Sequence, residues 1–255
     1  MLDIINNIYM EESLSDTKTR PYWIPTKTGA SASPENYRPF TILNTAYKLP
    51  PRNIANRLCP YMKDILHHNQ YCGRNGQTIF DAVATVGNII AYTEETNKAI
   101  RSLSIDFKDA FDKMPHTFLM KILREYGISE NLCSTSKDLS RYYLNTNTNG
   151  HKSTPIEIQS GVRQGCRLSM LPFVLCINPL LINRDKKLNG MYIILNSSKT
   201  TAVAYADDIT FIVTQPERTD TIKQTLQDFM HATGACINAN KSRAIALGFW
   251  NKSSP

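Results

Sequence analysis

The segment that most limits what this chain can fold into runs from Ala202 to Val213. Two short apolar runs, Ala202-Val203-Ala204-Tyr205-Ala206 and Ile209-Thr210-Phe211-Ile212-Val213, flank the adjacent aspartates Asp207 and Asp208. The second run is rich in β-branched and aromatic side chains, which suit a strand better than a helix. A two-residue Asp-Asp connection between them predicts a hairpin with both carboxylates at its tip. Two carboxylates about 4 Å apart repel each other by about 4 kcal/mol at an effective dielectric near 20. Water, an unusual protonation state or a bound cation must relieve that repulsion. A solvated turn has the same dipeptide statistics, so the remainder of the chain has to decide between a turn and a metal site.

At 255 residues the chain can bury a substantial core, as one large domain or two lobes. Hydrophobic residues make up 42% and charged residues 20%, which argues against wholesale disorder. The formal net charge of +7 suggests a polyanionic partner. Cys59, Cys72, Cys133, Cys166, Cys176 and Cys236 are scattered without a Cys-x-x-Cys pair. That spacing argues against a zinc site and is compatible with reduced thiols inside a cell. Asp3 and Glu11-Glu12 stand where a secretory signal would be basic and then apolar. The longest uncharged stretch, Leu168 to Asn183, is too short for a membrane span and is interrupted by Pro172 and Pro179.

Taken in order, Ile24-Pro25-Thr26-Lys27-Thr28-Gly29 predicts a strand ending in a polar turn, and Asn36 to Thr45 an extended run that carries Arg38. Helical spacing from Ala46 to about Leu66 sets Ile54, Leu58, Tyr61 and Ile65 on one stripe, with Pro60 expected to kink or divide it. Thr78 is expected to cap a helix reaching about Lys98, with Ile79, Val83, Val86 and Ile90 as its buried face. Leu103-Ser104-Ile105-Asp106-Phe107 reads as a short strand that ends on an aspartate, Asp106, at the C-terminal end where sheet proteins commonly place ligand-binding side chains. Pro115 then opens a helix closed by Tyr126-Gly127. Gly161 to Ser169 forms a glycine-flanked loop before an apolar helix, an arrangement able to hold a phosphate on backbone amides. After the aspartate hairpin come an amphipathic helix from Asp220 to Thr233 with Ile222, Leu226 and Phe229 on its apolar face, stopped by Gly234, and a strand from Ala244 to Leu247.

An apolar strand bearing Asp, a Gln-Gly loop before a helix, and then an Asp-Asp hairpin occur in that order, and the order resembles the palm of reverse transcriptases, specifically those of non-LTR (LINE-type) retrotransposons. The matching segments run from about Ile24 to Gly248. Asn36-Tyr37-Arg38-Pro39 with Asn44 and Tyr47-Lys48 resembles the first block, and Gln70-Tyr71-Cys72-Gly73-Arg74 the second. Asp106-Phe107-Lys108-Asp109-Ala110-Phe111-Asp112 is similar to the block with the first catalytic aspartate. Gly161-Val162-Arg163-Gln164-Gly165 is similar to the template-and-nucleotide loop, Tyr205-Ala206-Asp207-Asp208 to the signature hairpin, and Asn238 with Lys241-Ser242 to the last block.

The resemblance implies an α+β right-hand polymerase fold with fingers and palm and an antiparallel palm sheet with packed helices; the thumb that family members carry after the last block is expected to be absent from this chain. It divides the chain into a leader (1–20), fingers (21–100), palm with the first aspartate (101–118), an insertion (119–150), palm with the hairpin (151–250) and a tail (251–255). It implies an RNA-directed DNA polymerase that uses an RNA template, a DNA primer and dNTPs. Two Mg²⁺ ions, with Mn²⁺ as a substitute, would be held by Asp106, Asp207, Asp208 and the backbone carbonyl of Phe107. Phe111 beside Ala110 would be the gate against a 2′-hydroxyl; Lys27 and Arg38 would contact the triphosphate, Gln164 the nucleotide or template, and Lys241 would donate a proton to pyrophosphate.

The family usually has Pro-Leu-Ser-Pro after the Gln-Gly loop, where this chain has Arg167-Leu168-Ser169-Met170. The expected setting is a longer polyprotein with endonuclease and thumb regions, acting without a membrane as a ribonucleoprotein of cytoplasm and nucleus. The alternative is a catalytically inactive retrotransposon-derived fragment that binds RNA or DNA. A palm-bearing nucleotide cyclase would leave the blocks at Arg38 and Gly73-Arg74 without a purpose.

Overall fold

The computed structural model describes residues 20–25, 37–42, 45–108, 110–130, 133, 143–144, 147–148, 151–152, 156–157, 159–162, 168–187, 200–214 and 219–248. The chain divides into two compact units, one of Met1–Leu58 with Met114–Pro172 and one of Cys59–Lys113 with Phe173–Pro255. No described helix is long and apolar enough to cross a membrane.

In the first unit, β1 (Arg20–Pro25) and β2 (Tyr37–Ile42) pair antiparallel, with Ile24 opposite Arg38. Four two-residue strands also pair there, β5 (Tyr143–Leu144) with β8 (Ile156–Glu157) and β6 (Asn147–Thr148) with β7 (His151–Lys152). Helix α1 (Thr45–Ile65) starts here and runs undivided through Pro60, so the expected division does not occur. Its stripe also differs from expectation: Ile54 and Met62 are buried while Tyr61 is exposed. Helices α3 (Ala110–Lys113) and α4 (His116–Glu125) follow the first aspartate block. Helix α4 belongs to the first unit, buries Leu119, Met120 and Leu123, and ends at Tyr126 with Gly127 at a φ of 71°, as the Tyr-Gly stop predicts.

The second unit is built on a four-stranded antiparallel sheet in the order β12-β3-β10-β9. Its strands are β3 (Ile100–Ile105), β9 (Ala202–Tyr205), β10 (Asp208–Val213) and β12 (Arg243–Leu247). The outer edge of β9 is occupied by a short parallel bridge from Gln70 to Ala204. There the Ala204 N–H donates to the Asn69 carbonyl and the Tyr71 N–H to the Ala204 carbonyl, each at 2.9 Å. Buried Asn178 of α5 (Met170–Lys187) closes the end of α1, accepting from the His67 N–H at 2.7 Å and donating to the Ile65 carbonyl at 3.1 Å. The second bond satisfies a carbonyl that a helix C-terminus leaves open.

Helix α2 (Ile79–Thr96) lies on one face of this sheet. Its start is the predicted one, with the Thr78 N–H and hydroxyl both donating to Asp81 Oδ2 at 2.7 and 2.8 Å. Those donors hold the Asp81 carboxyl below the usual carboxylate range. The buried face is not the predicted one. Ala82 and Ile89 join Ile100, Val203 and Ile212 in the core, with Val86 and Leu247 packed against them. Ile79, Val83 and Ile90 are 47%, 64% and 36% exposed. Thr93 is acceptable inside because its hydroxyl donates back to the Ile89 carbonyl at 2.6 Å. On the far side of the chain's amphipathic pattern the expectation holds: α6 (Thr219–Thr233) buries Ile222, Leu226 and Phe229.

Gly248, just past β12, has a φ of 63°, and a Cβ there would collide with the Lys98 carbonyl oxygen and lie 2.8 Å from Thr93 Cγ2. Gly248→Ala should therefore cost about 1–3 kcal/mol through overpacking and backbone strain. Urea unfolding should show a lowered midpoint with an unchanged m-value; a midpoint equal to that of the parent protein would refute the close approach.

Candidate active site

Strands β3 and β10 carry the acidic residues to one end of the sheet. Ile105 pairs with Ile209 and Ser104 with Thr210. Asp106 and Asp208 lie next in sequence beyond the first of these pairs, at the same end of the sheet. Asp208 is the first residue of β10 and pairs with Tyr205 of β9. The two residues that turn the chain are thus Ala206 and Asp207, not the Asp-Asp pair expected from sequence. Ala206 takes a φ of 54°, and no positive φ is found at Asp207, the sign pattern of a type II′ turn. That position normally carries glycine, and a side chain there costs about 1–2 kcal/mol. Asp208 is exposed, while Asp106 and Asp207 are half-buried.

Asp106 lies just past β3, not within a strand, because the chain breaks there before β4 (Phe107–Lys108). Strand β4 leaves the main sheet and pairs with β11 (Cys236–Ile237), Phe107 opposite Ile237. The turn that follows β11 fastens the backbone of Asp106 on both sides. The Asp106 N–H donates to Ser242 Oγ at 3.2 Å, and its carbonyl accepts from the Asn238 N–H at 2.8 Å. Ser242 is itself held, its hydroxyl and N–H both donating to the Asn238 carbonyl at 2.9 Å. Lys241 is exposed in this turn, its N–H on the Asn238 carbonyl at 3.1 Å. The sequence marked Asn238 and Ser242 only as part of a block; the hold of Ser242 on Asp106 spans 136 residues and leaves no local signal.

Phe107 is buried and packs against Phe229 with ring centroids 5.7 Å apart. Ala110, also buried, and half-buried Phe111 begin α3. The Phe111 ring stacks on fully buried Phe173 at 4.0 Å and 22°, so its orientation is set by the core while one part stays accessible. Arg38 lies in β2, opposite Ile24, in the other unit. Lys27, Gln164 and Asp109 lie outside the described residues. In the first unit the start of the Gln164 loop is fastened: Gly161, at a φ of 87°, donates its N–H to the Met114 carbonyl at 2.7 Å. The carbonyl of Gly161 stands 2.7 Å from His116 Nε2.

Carboxylate oxygens at an accessible strand end fit a hard divalent cation. Among the described residues no three His, Cys, Asp or Glu side chains already converge on one point, so backbone register and not a closed cage brings the aspartates together. Behind the turn sits Cys72, whose thiol is pushed up to about 11 by burial, with the Asp207 charge adding to the rise and the Ala206 backbone hydrogen bond opposing it.

Residues 24–253 match the family described as reverse transcriptase (RNA-dependent DNA polymerase). The chain belongs to that family. It is 27% identical over 215 residues to the transposon TX1 uncharacterized 149 kDa protein of Xenopus laevis, covering 84% of this chain and 16% of that protein. It is 27% identical over 238 residues to a retrovirus-related Pol polyprotein from the type-1 retrotransposable element R2 of Popillia japonica, covering 91% of this chain and 32% of that polyprotein. A probable RNA-directed DNA polymerase from transposon BS of Drosophila melanogaster is 26% identical over 188 residues, 71% of this chain and 19% of that protein. The chain spans less than a third of the length of each of these transposon and retrotransposable-element relatives. Among solved structures, telomerase of Candida tropicalis in complex with a TWJ fragment of telomeric RNA superposes with a TM-score of 0.62 at 12% identity, over 96% of this chain and 44% of that one. Apo telomerase of the same organism, truncated from its C-terminal domain, gives 0.60 at 15%, over 92% and 51%. The likeness is one of fold: mixed helix and antiparallel sheet of the polymerase kind.

The Cys72 thiol has a folded value raised above its ordinary 9.0. Its contribution to stability is therefore complete below about pH 9 and is lost as the pH climbs through about 11. Melting temperatures taken from pH 7 to pH 11 should fall less steeply for Cys72→Ala than for the parent reverse transcriptase domain. Parallel curves would contradict the burial of this thiol behind the turn.

Proposed function

We propose that this domain is the fingers-and-palm core of an RNA-directed DNA polymerase that extends a DNA primer on an RNA template. The observation that supports the reading is the β3–β10 register, whose last pair is Ile105 with Ile209, with Asp106, Asp208 and the turn at Asp207 at that end of the sheet, in a chain of this family. Asp106, Asp207, Asp208 and the Phe107 carbonyl are the groups that would hold two Mg²⁺ ions. Bound there, the ions supply a more nucleophilic primer 3′-hydroxyl and charge neutralisation for the departing pyrophosphate.

The remaining work falls to the chain itself. Phe111, braced by Phe173, would stand under the sugar and reject a 2′-hydroxyl by clash, while small Ala110 leaves room for the nucleotide. Gln164 would meet the nucleotide or template, and Lys27 and Arg38 the triphosphate, as fixed cations stabilising developing charge. Lys241, exposed in its turn, would give a proton to pyrophosphate. The net charge of +7 would draw in template phosphates with a salt-dependent affinity. In this reading the domain works within a longer polyprotein with endonuclease and thumb regions, as a ribonucleoprotein of cytoplasm and nucleus.

Primer extension with purified protein, RNA template, DNA primer, dNTPs and Mg²⁺ tests the reading. Asp207→Asn should lower the rate by at least about a thousandfold with the melting temperature unchanged. Extension that survives this substitution would end the proposal, and RNA binding that needs no metal, without any extension, would favour an inactive nucleic-acid-binding fragment.

Phe111→Val should cut discrimination against ribonucleotides by about 10–100-fold and also lower the melting temperature through the lost stack on Phe173. Unchanged discrimination in a folded variant would leave Phe111 a packing residue only.

A further inference from the structure

The turn that carries Asp207 is held from outside the hairpin. Gln70 is fully buried at 0% exposure, an expensive place for an amide unless its polar atoms are all used. Its Oε1 accepts from the Ala206 N–H at 3.1 Å and from the Cys72 N–H at 3.0 Å. Its Nε2 faces the Ala206 carbonyl at 3.4 Å, a longer contact of the same sense. Two converging N–H donors require the oxygen on that side, which settles the orientation of the amide. One side chain therefore grips both backbone polar groups of Ala206, the residue in the left-handed conformation. Its own backbone is anchored beside the turn through the bridge to Ala204, and neighbouring Asn69 donates its side-chain N–H to Thr201 Oγ1 at 3.5 Å.

We propose that Gln70 is a positioning residue: it keeps Ala206 at positive φ and so fixes the direction in which Asp207 leaves the turn. Glutamine is suited to this because it offers an acceptor for two donors and a donor for the carbonyl at the same time. Glutamate could not donate and would bury a charge; methionine keeps the volume and loses every bond. Glycine at 206 would adopt the positive φ unaided, which makes Ala206→Gly the compensating change. The functional part of this inference rests on the polymerase reading above; the hold on the turn does not.

The test compares the parent domain with Gln70→Met, Ala206→Gly and the double variant. Hydrogen exchange read by mass spectrometry should show the amides of 206–208 exchanging at least tenfold faster in Gln70→Met, with those of α2 unchanged. Mn²⁺ binding followed by electron paramagnetic resonance should weaken at least fivefold. In primer extension kcat should fall at least tenfold with the KM for dNTP within twofold. The double variant should recover most of each loss. Parent-like exchange in Gln70→Met overturns the proposal, and so does uniform acceleration across the unit without rescue by Ala206→Gly. If the parent neither binds Mn²⁺ nor extends a primer, the polymerase reading fails while the exchange comparison still decides the role of Gln70.

Discussion

The antiparallel pairing of β3 with β10 is the interaction on which the site depends. Without it, Asp106 and the Asp207-Asp208 pair are about a hundred residues apart in sequence and unrelated in space. The register is constrained because each one-residue slip would exchange the faces of β10. That would send Ile212 out of the cluster it forms with Ala82, Ile89 and Ile100 and bring a residue of the opposite face in its place. Hydrophobic burial thus sets where the acids meet, although no acid takes part in that burial.

The aspartates themselves are held by main chain more than by side chain. Asp106 is fixed through its own N–H and carbonyl by Ser242 and Asn238, which leaves its carboxylate without a structural duty. Ala206, next to Asp207, is held in the same manner by Gln70. Both arrangements spend neutral hydrogen bonds on the backbone beside the charged groups. A carboxylate used as a structural acceptor would be less able to take a cation.

Much of this was legible in the sequence. The hairpin, the aspartate block, the Thr78 cap and the α6 face all follow from local pattern, and the family blocks give their order. The errors have physical causes. The tip was displaced by one residue because alanine is a poor turn residue, and nothing near Ala206 in the chain announces a side chain from residue 70 that stabilises positive φ. The α2 face was misjudged because Ile79, Val83, Val86 and Ile90 form a more apolar stripe than Ala82, Val86, Ile89 and Thr93. The sheet needs the flatter surface that Ala82 gives, and Thr93 hides its hydroxyl on its own helix. Strand β3 ended a residue early because Phe107 is drawn into a separate ribbon with Ile237, a pairing that only tertiary structure reveals.

The fastening of Asp106 to the Asn238–Ser242 turn has a consequence in time. The bond from Asp106 to Ser242 and those from Gln70 to Ala206 each close a span of 136 residues, so their closure entropy has to be met before they give any return. A chain leaving the ribosome from its N-terminus displays the first aspartate long before the residues that steady it exist. The acidic centre therefore cannot be completed before Asn238 and Ser242 have been made, and a ribosome halted short of Asn238 releases a chain whose Asp106 lacks both partners of its backbone.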